Sequence, residues 1–148
     1  MSYKTVDGIT SSVIPFCVKD GDCFVLLGKR KSSSLAFPSH WCIVGGFLNV
    51  GEECLEEAAV RELQEETGLV AALSQLELIT VQSDPKRDPR GVVIDHVYAV
   101  QFQDEEKASA SDDLEDVMWL PLHDALAVNL AFDHDMSLYL FAVKEGFI

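Results

Sequence analysis

Apolar positions along the chain follow two different periods. Residues 11–18, SSVIPFCV, and 23–30, CFVLLGKR, are rich in β-branched and apolar side chains, and Lys19-Asp20-Gly21-Asp22 stands between them. They predict two strands joined by a turn. Pro15 has no amide donor and points to an edge or a bulge in the first. Residues 31–40, KSSSLAFPSH, read as a polar loop, and Trp41 to Val44 as a short apolar strand running into Gly45 and Gly46. The period then becomes helical. Leu55, Ala59 and Leu63 recur at i, i+4 and i+8 with Ala58 beside them, and Gly68 ends the pattern.

Farther along, residues 75–82, QLELITVQ, alternate as a half-buried strand. SDPKRDPRG (83–91) holds two prolines and a glycine and is irregular. Residues 92–102, VVIDHVYAVQF, form the longest strand candidate, followed by an acidic loop over 103–116 and a short strand from Val117 to Leu120. Pro121 opens a short helix through Ala127. A last helix, from about Asp133 to Lys144, places Met136, Leu140 and Val143 on one face. Strands on both sides of one long helix, with a second helix at the end, predict an α/β (α+β) sandwich. No repeat or linker divides the chain, so residues 1–148 are expected to form one domain.

Charge narrows the chemistry. The formal net charge is −14, with 25 Asp and Glu against 11 Lys and Arg. Such a chain lacks the basic face that duplex nucleic acid needs. An anionic substrate would require metal ions and a few placed arginines to offset the repulsion. Cys17, Cys23, Cys42 and Cys54 form no CxxC pair and are read as reduced thiols, neither a zinc site nor a disulfide framework. The first ten residues lack an apolar leader core, and no run approaches a membrane span. The expectation is a cytoplasmic protein with no membrane partner.

The helix itself is electrostatically odd. From Glu52 to Glu66 it carries seven glutamates and one arginine, Arg61. Glu62, Glu65 and Glu66 stand at i, i+3 and i+4, which puts like charges on one face. Glu65 and Glu66 also occupy the last turn, where the helix dipole disfavours anions. A divalent cation held by hard carboxylate oxygens, Mg²⁺ or Mn²⁺, would reverse the sign of that repulsion.

Residues 45–69, GGFLNVGEECLEEAAVRELQEETGL, resemble the signature box of the Nudix hydrolases. From Glu53 the match is unbroken: seven residues, Arg61-Glu62, Leu63, Gln64, Glu65-Glu66, Thr67, Gly68 and Leu69. Upstream, six residues rather than five separate Gly46 from Glu53, so Glu52 and Glu53 both compete for the first glutamate; spacing to Arg61 favours Glu53. Val44 stands where many members carry proline. The resemblance implies an α/β/α sandwich with a mixed sheet and hydrolysis of a nucleoside diphosphate linked to another group. It implies Glu53, Arg61, Glu62, Glu65 and Glu66 as catalytic residues. Gly46 (through its carbonyl), Glu62, Glu65 and Glu66 would be the ligands of Mg²⁺ or Mn²⁺, and Arg61 would pair with Glu53. The general base stays open between box glutamates, Glu53 or Glu65, and the acidic run with Asp112, Asp113 and Glu115.

SDPKRDPRG, WLPL (119–122) and LAFDH (130–134) are similar to segments of bacterial and archaeal ADP-ribose pyrophosphatases. They make Arg87, Arg90 and Phe132 candidates for substrate binding, guanidinium being suited to phosphate and an aromatic ring to a base, and Arg30, beside Lys29 at a strand end, is a further candidate to face the anionic substrate. The implied reaction is ADP-ribose to AMP and ribose 5-phosphate. Alternatives are NADH, another nucleotide sugar, an oxidised nucleoside triphosphate, or a non-catalytic ADP-ribose sensor. The retained glutamates, and the end of the sequence at Ile148 with no basic domain, favour the enzyme. A homodimer is expected from the resemblance alone.

Overall fold

The computed structural model describes residues 2–148. The first strand, β1 (Gly8–Lys19), is the hub of a seven-stranded mixed sheet. The others are β2 (Asp22–Arg30), β3 (Trp41–Cys42), β4 (Val44–Phe47), β5 (Glu77–Gln82), β6 (Val93–Gln101) and β7 (Leu114–Pro121). The central order is β3-β2-β1-β6-β5, with β4 paired to β1 and β7 to β2. β1 runs parallel to β6 and antiparallel to both β2 and β4.

Pro15 is therefore in a central strand, against the edge or bulge expected of it. Phe16 accepts a backbone hydrogen bond from Phe102 at 2.8 Å, so Phe16 faces β6 and Pro15, by alternation, faces the other side. There β1 changes partner: pairing with β4 ends at Val13 and pairing with β2 begins at Phe16. The missing amide falls in that gap and no ladder bond is lost.

Strand alternation builds two cores. Ile14, Val25, Leu27, Ile43, Val97 and Ala99 point to one face, beneath α2 (Leu122–Ala125) and α3 (His134–Lys144). Val13, Leu26, Cys42, Val44, Tyr98 and Val100 point to the other, beneath α1 (Leu55–Thr67). The result is an α/β/α sandwich. No helix among the described residues is long and apolar enough to cross a membrane.

Helix α1 forms where its composition favours it, being rich in Ala, Glu, Leu and Arg. Glu57 accepts a hydrogen bond from the Cys54 amide at 3.0 Å, satisfying one free donor of the first turn. Gly68, at φ +79, adopts the left-handed conformation that closes the helix, its amide donating to Gln64. Ala58, Ala59 and Leu63 are fully buried, while Leu55 is only half-buried. A Leu63→Ala change would cost about 2–5 kcal/mol.

The C-terminal helix differs from its expected orientation. Met136 and Val143 are about half exposed, whereas Ser137, Leu138, Phe141 and Ala142 are fully buried. Both stripes obey the helical period because apolar residues surround this helix. Phe141 decides between them by packing edge-on against Phe16, ring centroids 5.0 Å apart. Strand β7 also begins earlier than expected, at Leu114, since pairing with β2 draws the end of the acidic run into the sheet.

Candidate functional site

Strands β1, β4 and β6, the start of α3 and the inner face of α1 surround a cleft of about 280 Å³. Its two ends are chemically opposite.

One end is acidic. Glu62 and Glu66 lie on the buried face of α1, one turn apart, and Glu65 points outward. Gly45 donates its amide to Glu66 at 2.9 Å. A Cβ at Gly46 would occupy the place of the Glu62 carboxylate and force it to swing away, so the glycine lets that carboxylate lie against the strand. Arg61 spans the cluster, donating to Glu53 at 2.9 and 2.7 Å, to Glu62 at 2.9 Å and to Glu65 at 3.1 Å. Its second Nη donates to the Phe47 carbonyl at 3.1 Å. The bidentate partner of Arg61 is thus Glu53 and not Glu52. The extra residue is absorbed in a turn at residues 49–52, where Gly51 takes φ +83 and the Glu52 amide donates to Asn49.

The acidic loop closes over the helix end. Ser111 and Ser109 donate their amides to the carbonyls of Glu66 and Thr67, at 3.0 and 3.1 Å, in the last turn that otherwise lacks partners. That docking carries Asp112 toward the helix, where one oxygen each from Glu62, Glu65 and Asp112 lies within 4.8 Å of the others. Asp113 lines the cleft beside them. Glu115, by contrast, pairs with Lys29 at 3.5 Å.

Protonation reflects the crowding. Burial, then the charge of Glu62 and of Asp113 and Asp112, pushes the Glu66 carboxyl up to about 9, against the pull of the Gly45 amide. Burial also raises Glu62, although Arg61 draws it back. Glu53 moves the other way, held below the usual carboxylate range by Arg61. The all-oxygen set of Glu62, Glu65 and Asp112 fits a hard divalent cation, and Glu66, the fourth expected ligand, stands outside that set on the Gly45 amide; a cation there would offset the penalty that raises Glu62 and Glu66.

The other end is aromatic and basic. Phe132, held at φ +54, has the guanidinium carbons of Arg30, Arg90 and Arg87 at 5.2, 5.3 and 5.8 Å from its ring centroid. Phe37 packs against it at 4.8 Å. Each arginine is tied down. Arg30 donates to the Ala36 carbonyl, and Arg90 forms a fork on Asp88 at 3.0 and 2.8 Å while lying over Phe47. Arg87 is buried, donating to Asp133 at 2.7–3.1 Å. Asp133 stands at the N-cap of α3 but makes no capping hydrogen bond; its carboxylate serves Arg87.

Between the ends lie two residues that sequence reasoning left out of the site. His134 accepts the Ile43 amide through Nδ1 at 3.0 Å, and burial lowers it to about 3, so the ring is neutral with its proton on Nε2. Asp95 is 1% exposed, and its Oδ1 accepts from both Thr10 and Ser12 at 2.8 Å. Burial raises its carboxyl. The signal for Asp95 was a charge inside an apolar strand; only the sheet register shows where it points.

Comparison with known proteins agrees with this architecture. The NUDIX domain pattern matches residues 8–141. The chain belongs to the NUDIX domain family. It is 40% identical over 111 residues to an ADP-ribose pyrophosphatase of Methanocaldococcus jannaschii, a match covering 75% of this chain and 61% of that one. It is 31% identical over 136 residues to the ADPR responsive transcriptional repressor NtrR of Acinetobacter baylyi, covering 90% of this chain and 53% of the repressor. The chain therefore spans less than two thirds of the length of either relative. Among solved structures, the NUDIX domain of Shewanella oneidensis NrtR complexed with ADP ribose superposes with a TM-score of 0.83. Identity is 28%, over 99% of this chain and 91% of that one. In this NUDIX chain the box occupies β4, the turn after it and α1, and the cleft lies along its inner side.

Proposed function

We propose that this protein is a metal-dependent pyrophosphohydrolase that cleaves ADP-ribose to AMP and ribose 5-phosphate. One observation carries the reading: a single cleft runs from Glu62, which stands with Glu65 and Asp112 in a carboxylate cluster suited to a divalent cation, to an arginine-rich aromatic wall suited to a nucleotide. Glu62, Glu65 and Glu66, with Asp112 and the Gly46 carbonyl, would hold Mg²⁺ or Mn²⁺. When bound, the cation supplies charge neutralisation of the pyrophosphate and a more acidic water.

The chain's own residues do the rest. Arg61 ties Glu53, Glu62 and Glu65 into one unit and fixes the loop from Phe47 onward. Glu53 is a poor proton acceptor because both its oxygens are bound to Arg61. That leaves Asp113, which lines the cleft, and any oxygen of Glu65 or Asp112 not taken by a cation, as the candidates to accept the proton of the attacking water. Arg30 and Arg90 face the negative charge of the substrate, and Phe132 offers a flat wall.

The test is product analysis with ADP-ribose, NADH, GDP-mannose and 8-oxo-dGTP, each with Mg²⁺, Mn²⁺ or chelator. AMP and ribose 5-phosphate from ADP-ribose, with cation only, are expected. A flat ADP-ribose response beside strong turnover of another substrate overturns the assignment. The likeness to ADPR responsive NtrR favours a second reading, a sensor. Thermal stabilisation by ADP-ribose without turnover under any cation would select it.

A further inference from the structure

Asp95 carries an oxygen that the protein leaves unused. Oδ1 is saturated by the Thr10 and Ser12 hydroxyls, while Oδ2 is buried with no hydrogen-bond partner. The two nearest cationic or donor groups stop short: Arg87 Nη2 at 3.6 Å and His134 Nε2 at 3.7 Å. Arg87 Nη2 is drawn away by Asp133, to which it donates at 2.7 Å. His134 Nε2 bears the ring proton, because Nδ1 is taken by the Ile43 amide. Both residues line the cleft. A buried polar atom without a partner is costly, and a cleft that contains one is shaped for a ligand group that completes it.

Burial raises the Asp95 carboxyl while the two hydroxyls and the Arg87 guanidinium pull it back; the groups that face Oδ2, Arg87 Nη2 and His134 Nε2–H, are both donors, which makes Oδ2 the acceptor of the set. The cleft thus presents an acceptor beside a donor, 3.7 Å apart, next to the Phe132 wall. A planar base with a donor beside an acceptor on its edge meets both groups. Adenine does so with its 6-amino group toward Asp95 and an adjacent ring nitrogen toward His134; a 6-keto purine has an acceptor, O6, at the 6-position and must shift to bring N1–H to Asp95. Asp95 and the Gly46–Glu62 contact line one cleft, so a base held at the first leaves the rest of a nucleotide to run toward the second.

We propose that Asp95 and His134 read the purine edge of the substrate, Asp95 Oδ2 accepting from the 6-amino group of adenine and His134 Nε2–H donating to a neighbouring ring nitrogen. The proposal rests on the ADP-ribose reading and adds to it the residues that set base specificity.

Calorimetric affinity with chelator and turnover with Mn²⁺ are measured for ADP-ribose and its hypoxanthine analogue, in the wild type and in Asp95→Asn. The wild type is expected to prefer adenine by at least about tenfold in both assays. Asp95→Asn places an amide donor opposite the 6-position and is expected to shift the ratio about tenfold or more toward hypoxanthine. Equal treatment of the two bases by the wild type, a preference for hypoxanthine, or an equal loss for both in the variant overturns the proposal while leaving the pyrophosphohydrolase standing. If neither compound binds or is cleaved, the ADP-ribose reading fails and this one with it. Should the variant not fold, the wild-type ratio decides by itself.

Discussion

The two ends of the cleft hold charge in opposite ways. At the arginine end two of the three cations have an anion of their own, Arg87 with Asp133 and Arg90 with Asp88, and Arg30 is tied to the Ala36 carbonyl. At the acidic end Arg61 alone serves Glu53, Glu62 and Glu65, while Glu66 has only the Gly45 amide and Asp112 adds to the crowd. The first arrangement is self-neutralised and can be rigid in the free protein. The second leaves carboxylates crowded and raised in pKa. The difference is what the proposed function uses: a preformed wall at one end and, at the other, a cluster that a cation would neutralise.

The contrast breaks most sharply at Glu66. Glu66→Gln keeps the hydrogen bond from the Gly45 amide but removes a charge, and AMP release from ADP-ribose should fall at least about a hundredfold. The same variant without metal should melt close to the wild type, because Glu66, pushed up to about 9, is already protonated and neutral there. Near-normal turnover would remove Glu66 from the site. Next comes Glu53→Gln, which loosens Arg61 without touching the cleft. A loss of about 10- to 100-fold in cation affinity or turnover is expected, checked by Mn²⁺ titration of the rate.

At the opposite end effects should be smaller and of another kind. Phe132→Ala is expected to raise KM about tenfold with a lesser change in kcat, since it removes a wall and leaves the reacting atoms alone. A drop confined to kcat would place Phe132 in the chemistry instead. Acid stability reports on the same end without any substrate. His134 is lowered from 6.5 to about 3 on folding, so the unfolded chain binds a proton that the folded one refuses. Its share of stability is full above pH 6.5 and is lost as pH falls from there toward 3. His134→Gln should flatten the melting temperature over that window; an unchanged slope would assign the acid lability to other groups.

Sequence pattern reached the acidic end far better than the other. Glu53, Arg61, Glu62, Glu65, Glu66 and Gly68 lie within one helix and its entry, where spacing alone fixes the geometry. Even the extra residue before Glu53 could be judged from its distance to Arg61. Asp112 was only a member of an acidic run, because its approach depends on Ser109 and Ser111 capping a helix more than forty residues earlier in the chain. Asp95, Asp133 and His134 escaped for the same reason: their partners are supplied by sheet register and by the docking of α3, which no local period encodes. That helix shows the limit plainly. With apolar residues on every side, its period could not choose between Met136–Val143 and Leu138–Phe141, and packing on Phe16 made the choice.

The central claim is that the acidic end takes a divalent cation in order to cleave a substrate seated against the arginine wall. Incubation of the wild type with ADP-ribose and Mn²⁺ or Mg²⁺, with products separated by chromatography and a chelator control alongside, tests it most directly. The expected result is stoichiometric AMP and ribose 5-phosphate with cation and neither product with chelator. Intact ADP-ribose under both cations, or equal cleavage in chelator, would contradict it.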